Sequence, residues 1–177
     1  MKKALMIAAI LFAAVVSTAC INNIAVQELN NKAAEFMQKG DYESAMNRLQ
    51  ASLDLDASVY QTYYNLGIAA MNAKKYDKAI EALEGGIKIN PDYFDFYYSL
   101  GLAQYEAACK ITENDNEEES VSEEDKAKAA ELNKKAAENL SKYLEMNPEA
   151  KDKETVEALI AEINSDNDTL GIKEEEN

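Results

Sequence analysis

The 177-residue chain has no histidine and no tryptophan, only two cysteines and two prolines, and 18 basic side chains (Lys+Arg) against 33 acidic ones. Without histidine there is no conventional Ser-His-Asp triad, no imidazole metal ligand and no side chain whose ordinary pKa lies near neutrality. Two cysteines, Cys20 and Cys109, fall short of a tetrahedral zinc site. The net charge of −15 repels phosphate backbones, which excludes nucleic acid bound by charge neutralisation. No Gly-rich phosphate-cradling motif occurs; Gly85-Gly86 falls inside a helical pattern and reads as a close-packing point. Carboxylates abound, but none falls in an expected apolar pocket that would raise its pKa. The residues imply no enzyme, no cofactor and no metal.

What the chain does have is a repeat. Tyr63-Tyr64-Asn65-Leu66-Gly67-Ile68-Ala69 returns 34 residues later as Tyr97-Tyr98-Ser99-Leu100-Gly101-Leu102-Ala103. Self-similarity at such a period marks a stack of supersecondary units, and stacks make extended surfaces for partners more readily than catalytic pockets.

The one long apolar run, Ala4 to Val16, follows Met1-Lys2-Lys3 and precedes Ser17-Thr18-Ala19-Cys20, the layout of a secretory leader over residues 1–19. As a helix the run is about 20 Å long, short of the ~30 Å hydrocarbon core. The junction resembles a bacterial lipobox, although Ser17 stands where Leu is usual. That resemblance implies acylation of Cys20, and two or more acyl chains anchor a protein stably. It also implies a place at the cell envelope. With Ile21 rather than Asp after the cysteine, that place is the outer membrane, facing the periplasm, in a two-membrane cell. The alternative is ordinary cleavage after Ser17-x-Ala19, which releases a secreted or soluble periplasmic protein. If Cys20 is acylated, Cys109 has no disulfide partner and reads as a small buried or half-buried helix residue.

The repeat unit resembles the tetratricopeptide repeat (TPR), a 34-residue helix-turn-helix. Tyr63, Leu66 and Gly67 stand at the aromatic, Leu and Gly positions of the first helix in the second unit. Tyr76, Asp77, Ala79, Leu83 and Pro91 follow in the second helix and its end. One register back, the first unit reads Leu29, Ala33, Phe36, Tyr42, Ala45 and Leu49, with Gly40-Asp41-Tyr42 at the turn. Small residues (Ala33, Gly67 and Gly101 facing Ala45, Ala79 and Ala136) permit close helix approach, and Leu49, Leu83 and Leu140 fill the space between units. The fold class expected is therefore all-α: a TPR-like α-solenoid of three helix-turn-helix units plus a C-terminal capping helix.

The third unit is interrupted between Gly101 and Ala136 by a charge block running from Thr112 to Glu119. Such a block reads as a solvated loop. Ser122, followed by Glu123, Glu124 and Asp125, reads as a helix start. Val156, Leu159, Ile160 and Ile163 share one face of a closing amphipathic helix. The expected organisation is a tether over 20–24 and a domain over 25–164. Its units fall at about 26–59, 60–93 and 94–150, with an acidic insertion near 111–128 and the capping helix at about 149–164. Residues 165–177 read as an acidic, unstructured tail.

In the resembled family the stripe beside the packing face of each first helix lines a concave ligand groove. Here that stripe is Asn30, Ala34 and Met37, then Tyr64, Ile68 and Met71, then Tyr98, Leu102 and Tyr105. A floor of Tyr, Met, Ile and Leu suits a protein or peptide partner with apolar or aromatic segments, and Gln38, Asn65 and Asn72 would hold its backbone by amide hydrogen bonds. The same stripe also suits internal packing, with part of the chain filling the groove. A family subset clamps C-terminal carboxylates with Lys, Arg and Asn on this face. Here Asn30, Ala34, Asp95 and Ser99 stand at most of those positions and only Asn65 matches, so the clamp is absent. Two functions follow. One is an envelope-anchored interaction module that scaffolds a membrane-associated complex; the other is a soluble exported peptide-binding holdase or carrier.

Overall fold

Helix-turn-helix pairs follow one another along the chain because each helix carries one apolar stripe and the connections between residues 38 and 95 are too short to do anything but reverse direction. The computed structural model describes residues 23–113 and 121–170. The leader, the Cys20 junction, most of the acidic block and residues 171–177 lie outside the described residues.

Seven helices, and no strand, occur among the described residues. α1 covers 23–38, α2 is Tyr42–Leu55, α3 Tyr60–Asn72, α4 Tyr76–Ile89, α5 Asp95–Thr112, α6 Glu123–Met146 and α7 Lys153–Thr169. They pair as α3/α4 and α5/α6, α7 packs on α6, and α1 is tied to α2 through the Asn30–Ser52 hydrogen bond.

The ends are set by local chemistry. Gly40 takes the left-handed conformation (φ 75°) between α1 and α2, and the Asp41 side chain then caps α2 by accepting the Ser44 N–H at 3.1 Å. Ser122 caps α6 by accepting the Asp125 N–H at 3.1 Å, with three carboxylates in the first turn on the positive end of the helix dipole. Asn90-Pro91 ends α4 because proline cannot continue the ladder.

Packing within the pairs depends on missing side chains. A Cβ built on Gly67 would lie 2.6 Å from the Leu83 side chain, and one on Gly101 would lie 2.7 Å from Leu140 Cγ and 3.0 Å from the Ala136 carbonyl oxygen. Leu49, Leu83 and Leu140, the equivalent residues of the three second helices, are fully buried, as are Ala45, Ala79 and Ala136. Gly86 receives the Phe96 ring at the start of α5, and a Cβ there would come within 2.2 Å of it. This contact joins the second unit to the third.

The closing helix runs past the expected boundary at residue 164 to Thr169. Ile163 is fully buried, Asp166 accepts a hydrogen bond from Tyr105 of α5 at 3.0 Å, and the Thr169 hydroxyl caps back onto the Asp166 carbonyl. Those anchors order a stretch whose composition alone reads as tail. No helix among the described residues is long and apolar enough to cross a membrane.

The glycine contacts yield a test. In an exposed helix Gly→Ala gains roughly 1 kcal/mol of propensity. Gly86→Ala is expected instead to lose about 1–3 kcal/mol in urea unfolding, because the buried Phe96 ring has no room to retreat. Unchanged or higher stability would show that the contact does not constrain the stack.

Candidate functional site

The first helices α1, α3 and α5 set one face of the stack side by side, and the stripe residues divide there by what covers them. In α3, Gly67, Ala69 and Ala70 are buried against neighbouring helices, whereas Tyr64, Ile68 and Met71 are half-buried. Ile68, Met71 and Asn72 line one side of a hollow of about 410 Å³, with Lys74, Tyr76 and the α5 residue Glu106 completing it. Polar and apolar groups meet in this hollow. The Asn72 amide donates back to the Ile68 carbonyl at 2.8 Å, and the Tyr76 hydroxyl donates to Glu106 at 3.0 Å. Burial first, and then Glu106, pushes the Tyr76 phenol up from its ordinary pKa, so it stays a neutral donor.

Tyr64 sits at the edge of an aromatic cluster. Its ring meets Tyr93 edge-on at 5.4 Å and Phe96 at 5.7 Å between centroids, and Tyr60 and Phe94 extend the group. Edge-to-face contacts of this kind are favourable beyond the area that they bury. Tyr93 and Phe94, from the α4–α5 connection, are contributors that the repeat alignment did not single out. The signal was present in Asp92-Tyr93-Phe94-Asp95-Phe96, three aromatics at the entry to the third unit.

The third-unit residues meet the C-terminal part of the chain. Tyr98 packs on Tyr143 of α6 at 5.1 Å, and the Tyr105 hydroxyl donates to Glu162 at 3.3 Å and to Asp166 at 3.0 Å, both on α7. Burial, with Asp166 next, raises the Tyr105 pKa, and burial followed by Asp152 raises that of Tyr98. Leu102 is half-buried beside them.

In the first unit Asn30 ties three helices together. Its two Nδ2 hydrogens are shared among the Ser52 hydroxyl of α2 at 2.9 Å, the Thr62 hydroxyl of α3 at 3.1 Å and the Val26 carbonyl at 2.9 Å. Ser52 and Thr62 are fully buried, so this amide satisfies hydroxyls that water cannot reach. Met37 packs against the core, Gln38 is exposed and Asn65 is half-buried. The hollow at the end of α3 thus gathers Ile68, Met71 and Asn72. Tyr64, Tyr98, Tyr105 and Asn30 also make internal contacts.

Cys109 is free and half-buried in α5, and burial raises its pKa, so it is held as a thiol. Among the described residues no three His, Cys, Asp or Glu side chains are arranged to hold a metal ion.

Residues 71–107 match the family model described as TPR repeat. No curated protein matches the chain in sequence. Similar solved structures are TPR domains. The second TPR domain of human RPAP3, in complex with an HSP70 peptide, aligns at TM-score 0.62 and 15% identity over 81% of this chain and 98% of that one. The Arabidopsis OM64 TPR domain aligns at 0.62 and 16%, over 80% and 98%. The Yersinia enterocolitica type III secretion chaperone SycD, in complex with a peptide of the translocator YopD, aligns at 0.55 and 20%, over 79% and 92%. Residues 71–107 therefore match a tetratricopeptide repeat, and the described residues fold as the expected all-α, TPR-like solenoid.

Proposed function

We propose that this protein is a non-enzymatic interaction module, lipid-anchored at a bacterial cell envelope, that scaffolds a membrane-associated complex. It does so by holding an apolar or aromatic protein segment along the face of α3 and α5. The observation that carries the reading is the hollow at Ile68, Met71 and Asn72. There, half-buried apolar side chains lie beside amide and phenol groups that can fix an extended backbone. Support comes from SycD and RPAP3, whose solved structures hold peptides in the same fold. Asn65, Leu102 and the outer edge of Tyr64 extend the groove, and Met37 and Gln38 form its far end, whereas Tyr98 and Tyr105 are engaged by α6 and α7, and Asn30 by Ser52 and Thr62, so these three bound the groove without holding the partner.

The envelope part of the proposal rests on the leader and on Cys20, and one structural observation supports it. Among the described residues Ile24, Leu55 and Ile89 are the exposed large apolar ones, at 66%, 42% and 44% exposure. Leu55 and Ile89 are equivalent positions at the ends of α2 and α4, and Ile24 follows Cys20 by four residues. The hairpin topology puts all three at one edge of the stack, where an anchored domain would lie nearest the bilayer.

Two measurements test the reading. Ile68→Ser should cost less than about 1 kcal/mol, as a partly exposed site does, yet should abolish co-purification of the partner from membranes. Leu83→Ala, at a fully buried position, should instead cost about 2–5 kcal/mol. If Ile68→Ser unfolds the protein as readily, or leaves the partner bound, the groove is not the binding face. Intact-mass analysis of the membrane fraction should show acyl chains on Cys20 and loss of residues 1–19. An unmodified soluble chain would contradict the anchor and favour the exported carrier.

A further inference from the structure

At the opposite edge of the stack, where first helices end and second helices begin, five lysines meet around one cavity. Lys74 and Lys75 come from the α3–α4 turn, Lys78 from the first turn of α4, Lys110 from the end of α5 and Lys128 from α6. The cavity is about 490 Å³, and its other lining groups among the described residues are Tyr76, Ala107, Ile111 and a single carboxylate, Asp77. In a chain with nearly twice as many acidic as basic side chains, this local excess of cations runs against the overall charge.

The lysines are not consumed by the fold. Lys75 pairs with Glu43 and Lys110 lies over the Tyr76 ring at 5.9 Å. Lys74, Lys78 and Lys128 pair with no carboxylate among the described residues. Of the two further carboxylates that act on Tyr76, Glu106 and Glu113, the first is engaged by the Tyr76 hydroxyl.

Comparison of the two turns within the chain sharpens the point. Between α1 and α2 the left-handed residue is Gly40 and the helix cap is Asp41. At the equivalent positions between α3 and α4 stand Lys74, held left-handed at φ 57°, and Lys75, which makes no side-chain cap. The second unit thus forgoes the relaxed glycine and the capping carboxylate, and both replacements add positive charge to the cavity. Strain at a single non-glycine residue is a recurrent mark of functional sites.

We propose that this lysine-lined cavity is a second binding site, adjoining the Ile68–Met71 groove across Lys74 and Tyr76, which line both, and that it takes an acidic segment of a protein partner. Carboxylates complement the lysines. The Ile111, Ala107 and Tyr76 floor accepts an aliphatic side chain beside them, which a free anion would leave unfilled. A cavity of this size holds a few side chains, the scale of a short linear segment. The net charge of the whole chain disfavours a nucleic acid at the same place.

The test uses the full-length protein and a fluorescein-labelled peptide, Glu-Ile-Glu-Glu-Leu-Asp, with its Gln/Asn counterpart as control. The acidic peptide should bind saturably, should weaken as salt is raised, and should bind about tenfold more tightly than the neutral one. Lys78→Glu and Lys128→Glu should each reduce binding about fivefold with the helical circular dichroism unchanged. Lys74→Gly should raise the melting temperature by relaxing the turn and still weaken the peptide, a split that a purely structural lysine would not show. Absence of saturable binding, equal affinity for the neutral peptide, or full binding by a Lys74→Gln/Lys78→Gln/Lys128→Gln triple variant would overturn the site. Loss of binding in Ile68→Ser alone would also overturn it, while leaving the groove reading intact. Equal competition by inorganic phosphate at matched charge would show an anion sink rather than a peptide site.

Discussion

Close approach of paired helices at positions without a side chain is the constraint on which this structure depends. Gly67 against Leu83, Gly101 against Leu140 and Gly86 against Phe96 each remove the atoms that would hold two helices apart. Dense interiors tolerate no extra methylene without strain, so these contacts fix how far each helix can rotate in its pair. That rotation decides which stripe of α3 and α5 is left facing outward. The groove is therefore a consequence of the glycines beside it, Gly67 next to Ile68 and Gly101 next to Leu102.

The third unit departs from the regularity of the first two, and its energetics differ accordingly. The second helix of this unit is long, its approach to α5 is extensive, and α7 adds Val156 and Ile163 to a separate buried cluster with Leu140 and Tyr143. Tyr105 and Tyr143 fasten this end by donating to Asp166 and Asp152. Burial raises both phenol pKa values, with the carboxylates adding to the effect, so these donors persist across the physiological range. An acidic chain thereby uses phenols, beside the exposed Lys153–Glu157 pair, to engage carboxylates of its capping helix and that helix's N-cap.

Much of this was legible in the residues. A 34-residue period, small residues at matched positions and Leu at Leu49, Leu83 and Leu140 specify helix pairs with little ambiguity, because period and close packing are local properties. Helix α6 starts where Ser122 and three carboxylates say that it should. What was not legible depends on distance in three dimensions. Asn30 shares a helix face with Ala34 and Met37 in sequence, yet its amide turns to the Ser52 and Thr62 hydroxyls, 22 and 32 residues away. Helix α7 continues to Thr169 because Tyr105 supplies a partner to Asp166, which composition cannot reveal. The lysine cavity joins residues from three helices across an insertion, so no window of sequence displays it.

The central claim is that the face of α3 and α5, and not the outer side of the stack, holds the partner. Site-specific photocrosslinking in cells that make the protein tests it most directly, with a benzoylphenylalanine side chain placed at Met71 in one strain and at Gln50 in another. Gln50 lines the hollow between α2 and α4 on the other side of the paired helices. The account predicts a discrete adduct from position 71 and none from position 50. An adduct from position 50 with none from position 71 would contradict it.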